Sequence, residues 1–178
     1  MEKRRLMVRR LTYGGLLAAM VVVLTAVLRI PNPFTGYAHV GDGAVVLCGL
    51  MLGPYGALPA AVGSALADIL VSMPQYALAS AIVKGVMAWV VGRAMIVEER
   101  ISVRNVLVLL AVFAWMVVAY FLFNSVYLKL AGNYPSYGQS LLAALGAVVY
   151  DLIQAGIGIV ISLTLLGAGQ RFLKKRLR

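Results

Sequence analysis

Long apolar stretches alternate along this chain with short polar breaks. Apolar residues dominate roughly Leu6–Leu28, Gly41–Gly53, Pro54–Val71, Tyr76–Ile96, Val103–Leu130 and Gly138–Leu166. A helix needs about 20 such residues to cross the roughly 30 Å hydrocarbon core of a bilayer. The breaks carry turn chemistry. "RIPNPFTGYAHVGD" (29–42) has two prolines and two glycines and excludes a continuous helix; "SMPQY" and "AGNYPSYG" separate the later stretches. The second stretch is short, at about 13 residues or about 20 Å, so Gly41–Val71 can also be drawn as one kinked helix.

Charge decides between the two drawings. Lys3, Arg4, Arg5, Arg9 and Arg10 open the chain, and Arg171, Lys174, Lys175, Arg176 and Arg178 close it. Arg93, Arg100 and Arg104 flank one central loop, so 13 of the 16 basic residues sit at the ends of apolar segments. Such residues mark the cytoplasmic side. Five spans would put the two basic termini on opposite sides. Six put both termini and the 93–104 loop inside, with "GPYG" as an inner turn whose Pro54 opens a helix. The expected fold is an all-α membrane protein with one domain, 1–178, six transmembrane helices, both termini cytoplasmic and a multi-pass position in the cell membrane.

Composition agrees: 62% of residues are hydrophobic and 12% charged, against about 45–50% and about 25% in soluble domains. The net charge of +10 does not mark a nucleic-acid binder, because it lies at span ends and not on a soluble basic face with interleaved aromatics. Leu11–Leu28 is too long for a signal-peptide core, and no small-x-small site precedes Arg29, so it is expected to be a retained first span. Cys48 is alone, which excludes an intrachain disulfide and suits a small buried hydrophobe.

Polar residues inside such segments are costly and each needs a reason. Tyr76, Ser80 and Lys84 recur every four residues and share one helical face. Tyr120, Asn124 and Tyr127 form a stripe on the fifth span, and Tyr150, Asp151 and Gln154 cluster on the sixth. Asp42 and Asp68 fall near the outer ends of the second and third. In the six-span drawing most of these lie in the outer half or near the middle. A channel needs polar lining throughout; a pocket open to the outside needs it in one half, and aromatics, amides and a few charges suit a small, flat, polar molecule. Structural readings stand beside this one: Asp68 and Lys84 as an ion pair, Asp42 as a helix cap, Asp151 and Gln154 as interhelical ties, Tyr134 and Tyr137 as interfacial residues, His39 as a solvated loop histidine. Gly14, Gly15, Ala18 and Ala19 make a small-residue face that serves internal packing or a docking subunit. The chain has no phosphate-binding P-loop, no G-x-S-x-G elbow and too few histidines and cysteines for a conventional metal site. No catalytic residue or metal ligand is therefore assigned.

Several motifs resemble those of the S components of energy-coupling factor (ECF) transporters, in particular the riboflavin-transporter-like branch. They are His39–Asp42 ending the first outer loop, "LGPYG" (Leu52–Gly56), "GSALAD" (Gly63–Asp68), Lys84–Gly85 and "YDLIQAGIGIVIS" (Tyr150–Ser162), with Asp151 where the family commonly has asparagine. The resemblance implies a six-helix subunit that captures a vitamin or vitamin precursor, hydroxymethylpyrimidine, a pyridoxine-like compound or a similar heterocycle. It implies assembly with a transmembrane coupling subunit and two cytoplasmic ATPases, which use the ATP; no covalently bound cofactor is expected. The first loop, with Phe34, Tyr37 and His39, would be the lid, and Gly15, Ala18 and Ala19 would dock the coupling subunit. Substrate contacts are expected from Lys84, Asn124, Asp151 and Gln154, with Tyr76, Tyr120 and Tyr127 supplying rings and hydroxyls; Asp151 would meet a protonated ring nitrogen. Asp42 and Asp68 are expected to be structural. The alternative is a stand-alone small-molecule carrier or channel.

Overall fold

The computed structural model describes residues 2–95 and 101–176. Ile96, the expected end of the fourth span, and Arg100 and Arg178 of the basic clusters lie outside the described residues. Six α-helices follow one another: α1 (Glu2–Val27), α2 (Asp42–Leu52), α3 (Ala57–Leu70), α4 (Pro74–Ala94), α5 (Val103–Leu130) and α6 (Tyr137–Arg176). A 3-10 turn, Gly53–Gly56, separates α2 from α3. The helix ends lie within a few residues of the ends of the apolar stretches, except that α6 runs ten residues past Leu166. Ser102 caps α5, its side chain accepting from the Asn105 amide. Among the described residues, five segments are long and apolar enough to cross a membrane: Arg4–Val27, Asp42–Leu70 taken as one, Pro74–Ala94, Val103–Leu130 and Tyr137–Ala168.

Asp42–Leu70 is not one continuous helix. The chain turns back at Gly53, whose φ of +60° is a conformation that suits glycine. A Cβ on Gly56 would collide with the Cys48 backbone, and one on Gly92 with the Gly53 backbone. The hairpin of α2 and α3 is thus closed on itself and sealed by the far end of α4. Helices consecutive in the chain run antiparallel, so α1 and α3, and likewise α2 and α4, pack side by side in parallel. Asp68, near the end of α3, bonds to Tyr37; Tyr76, near the start of α4, bonds to Asn124, late in α5. At the opposite end Arg10 stacks on the Tyr55 ring, 4.1 Å from its centroid, placing the start of α1 beside the 3-10 turn.

One element has no signature in the sequence pattern. Arg29–Pro31 (β1) and Tyr37–His39 (β2) pair as a small antiparallel ribbon, Arg29 opposite His39 and Pro31 opposite Tyr37. Asn32 stabilises its bend: its side chain donates to Thr35 Oγ1 and accepts from the Phe34 amide. The ribbon enters the bundle because α2 is short. Eleven residues rise about 16 Å, whereas the 21 residues of α4 rise about 31 Å. The space above α2 is filled by the ribbon. Below it, Val45, Val46, Cys48, Met87, Val91, Leu109, Phe113 and Met116 form a fully buried apolar core.

Candidate functional site

The polar stripes of α4, α5 and α6 converge beneath the ribbon. They enclose a cavity of about 30 Å³, bounded by Thr35, Gly36, Tyr37 and His39 above and by Asp68, Tyr76, Ser80, Tyr120, Asn124, Asp151 and Gln154 around it. Its walls are tied in pairs across helices. Tyr76 donates to Asn124 Oδ1 at 2.9 Å, and Ser80 and Tyr120 share a bond of 2.8 Å. The Tyr37 hydroxyl donates to Asp68 Oδ1 at 2.6 Å. Tyr76 is also held as a ring: Gly36 leaves room for its edge, and Phe123 and Tyr127 pack behind it at 5.3 and 5.8 Å between centroids.

Beneath the cavity lies a charged floor. Lys84 and Asp42, both essentially without solvent exposure, pair at 2.6 Å. The Lys84 ammonium also touches Met116 Sδ at 3.0 Å and faces the Tyr120 ring. Gln154 Nε2 donates to the other Asp42 oxygen at 2.8 Å, while its carbonyl accepts from the His39 amide at 3.0 Å. Gln154 therefore connects the ion pair to the ribbon. His39 Nδ1 accepts from the Gly41 amide, and burial pushes the imidazole down to about 4 from its ordinary 6.5. Burial together with the adjacent Asp68 pushes the Tyr37 phenol up. Among the described residues, three buried side-chain oxygens have no hydrogen-bond partner: Thr25 Oγ1, Asp68 Oδ2 and Asp151 Oδ2.

Of the residues expected to contact substrate, Tyr76, Tyr120, Asn124, Asp151 and Gln154 share the cavity wall. Lys84 lies under it, and Tyr127 behind Tyr76. The structural alternative of an Asp68–Lys84 pair is replaced by Asp42–Lys84, because α2 begins deep in the bundle, level with Lys84, while Asp68 sits higher beside Tyr37. Nor is Asp42 a cap: Gly41 holds that position without a side-chain bond, and the Asp42 carboxylate is committed to Lys84 and Gln154. In the ribbon, Tyr37 and His39 face the cavity, whereas Phe34 packs over Gly146 of α6. The pattern gave no reason to single out Thr35, Gly36 or Met116. Ser80 was readable from its place between Tyr76 and Lys84. Asp68 was readable as a buried acid, but not as a wall residue.

The small-residue face of α1 divides. Ala18 lies against Gly63 of α3, its carbonyl 2.8 Å from where a Cβ would stand, while Gly15 and Ala19 are exposed. Beside them an apolar groove of about 910 Å³ runs between the first half of α1 and the 3-10 turn, with Leu11, Gly15, Tyr55, Leu58 and Val62 among its walls.

Comparison with known proteins completes this picture. A solved structure described as "Structure and mechanism of the S component of a bacterial ECF transporter" shares the fold, with a TM-score of 0.68 over 96% of this chain and 98% of that one, at 23% identity. A Pyrococcus woesei protein described as "Uncharacterized protein in gap 3'region" is 39% identical over 74 residues, 40% of this chain and 49% of that protein, so the match spans about half the relative's length. The family model described as "ECF-type riboflavin transporter, S component" matches residues 5–171, and the chain belongs to that family.

Proposed function

We propose that this chain is the substrate-binding membrane subunit of an ATP-driven importer and captures a vitamin or vitamin precursor, a small heterocycle of the hydroxymethylpyrimidine or pyridoxine type. One observation carries the reading beyond family membership: a polar, aromatic-walled cavity lies at one end of an otherwise apolar bundle, roofed by a ribbon and floored by a buried ion pair. In this reading the helices cross the membrane six times, with both termini cytoplasmic and the ribbon outside. Tyr76, Tyr120, Asn124, Asp151 and Gln154 contact substrate. Lys84 acts from below by fixing Asp42 and, through it, Gln154. A cavity of about 30 Å³ holds little more than a water, so the ribbon, with Phe34, Tyr37 and His39, lifts to admit substrate and closes over it. The exposed Gly15 and Ala19, with Ala18, dock a transmembrane coupling subunit along the groove beside α1. Two cytoplasmic ATPases supply the energy, and the chain itself needs no cofactor.

Purified protein in nanodiscs, without nucleotide, is expected to bind a heterocycle of this kind saturably by titration calorimetry. Mass spectrometry of small molecules released from the purified protein identifies it. Asn124→Ala and Asp151→Ala are each expected to weaken binding at least about tenfold. Absence of saturable binding, or uptake into vesicles by this chain alone without any ATPase, would overturn the proposal.

A further inference from the structure

The charge of the cavity restricts the class of molecule it takes, an inference that rests on the capture reading above. Two carboxylates, Asp68 and Asp151, line it. Asp68 is 4% exposed; one oxygen accepts from Tyr37 and the other has no partner. Asp151 Oδ2 is likewise buried without a partner. Among the described residues no lysine or arginine lines the cavity, and Lys84, the buried lysine beneath it, is matched by Asp42. The His39 nitrogen nearest its own backbone is occupied by the Gly41 amide. Buried carboxylate oxygens without a hydrogen-bond donor are destabilising, and Asp68 Oδ2 and Asp151 Oδ2 are left open to a donor from a ligand. The remaining walls offer the rings of Tyr76 and Tyr120, whose faces favour cations.

We propose that the site takes a cationic, donor-rich nitrogen heterocycle, a small aromatic ring bearing a protonated amine, and rejects analogues bearing a carboxylate or phosphate. Asp68 and Asp151 are the two groups that read the charge, so Asp68 is a ligand contact as well as the anchor of Tyr37. Neutral rings of the same shape bind by their faces alone and leave both carboxylates unanswered.

The test uses matched ligands that differ in one substituent, titrated at neutral pH against full-length protein in nanodiscs. One series is pyridoxamine, pyridoxine and 4-pyridoxate; the other is 4-amino-5-aminomethyl-2-methylpyrimidine and its 5-hydroxymethyl counterpart. The aminomethyl member is expected to bind at least about tenfold tighter than the hydroxymethyl member, the scale of one charge-assisted hydrogen bond, and 4-pyridoxate not at all. Asp68→Asn and Asp151→Asn should each bring the two members toward parity, by weakening the aminomethyl member more than the hydroxymethyl member. The wild-type preference needs no variant and stands if either variant fails to fold. A cationic molecule released from the purified protein also supports the assignment. Equal or tighter binding of the hydroxymethyl or carboxylate member, or release of a neutral or anionic molecule, overturns the charge assignment and leaves capture intact. No saturable binding in either series, with nothing released from the protein, overturns both.

Discussion

Replacing Lys84 with methionine removes the cation from a pair in which both partners are fully buried and leaves the Asp42 carboxylate with the Gln154 amide but no counter-charge. Truncating one partner of such a pair costs about 3–5 kcal/mol, far more than a surface pair, because the remaining charge is stranded. In a chain of this size each kcal/mol moves the midpoint of thermal unfolding by about 2–4 °C. Lys84→Met is therefore expected to lower it by about 6–20 °C, read from Trp89 and Trp115 fluorescence in nanodiscs. Asp42→Asn alone strands the ammonium and should cost a similar amount. The double variant Asp42→Asn/Lys84→Met strands nothing: an asparagine at 42 can still accept from Gln154, and methionine fills the volume beside Met116. Its midpoint should recover to within a few degrees of the parent. The recovery is the informative result, since it shows that the cost of each single change is an unanswered charge and not lost packing. A double variant as low as the sum of the singles, or a Lys84→Met protein that melts like the parent, would refute the pairing. The double variant also separates two roles for Lys84. If it works from beneath the cavity, binding returns with stability; if it touches ligand, stability returns and binding does not.

Three further outcomes follow from the geometry. Gly92→Ala drives a methyl into the Gly53 backbone and should destabilise by about 1–3 kcal/mol, whereas Gly156→Ala, with nothing within 4 Å of the added carbon, should leave the thermal midpoint unchanged or raised. Gln154→Leu removes the acceptor for the His39 amide and the donor to Asp42; hydrogen exchange should quicken across residues 29–41 while the helix amides of α4 and α5 keep their protection. His39 is held at about 4 against an ordinary 6.5, so the closed ribbon resists a proton that an opened one accepts. Closure is then fully favoured above about pH 6.5 and weakens as pH falls toward 4, and limited proteolysis of the ribbon should rise over that window in the parent and not in His39→Asn.

The helices were legible in the sequence because bilayer crossing imposes a crude rule: about 20 apolar residues, then a break. The apolar stretch Val103–Leu130 coincides with α5, and the proline and glycine signals coincide with the turn at Gly53–Gly56. α6 outruns the apolar stretch that ends at Leu166, because a helix continues past the hydrocarbon as long as nothing breaks it. The ribbon was invisible for the opposite reason. "RIPNPFTGYAH" has neither an alternating pattern nor a run of strand formers; its pairing depends on the Asn32 side chain closing the bend and on the bundle beneath it. The four-residue recurrence of Tyr76, Ser80 and Lys84 and the polar stripes of α5 and α6 point to a common space; Tyr76, Ser80, Tyr120, Asn124, Asp151 and Gln154 line it, whereas Lys84 lies under it, Tyr127 behind Tyr76, and Tyr150 is not among its walls.

Depth was harder to read than direction. Counting inward from the ends of the apolar stretches puts Asp42 at the surface, since it opens its helix, and puts Lys84 well below it. The count for Lys84 holds, whereas the count for Asp42 is right about position in the helix and wrong about position in the bundle. α4 rises about 31 Å and α2 about 16 Å, and the contact of Gly92 with Gly53 fixes their far ends together. The first residue of α2 must therefore lie roughly halfway down α4, where Lys84 is. The short second helix, which looked like the weak point of a six-helix reading, is the feature that makes the site. It leaves a shaft about 15 Å deep, the difference between the two rises, for the ribbon to occupy. It also brings an acid to the bottom of that shaft, where a lysine from α4 can neutralise it. A second helix of full length would carry Asp42 up to the rim, close the shaft and leave Lys84 alone in the core.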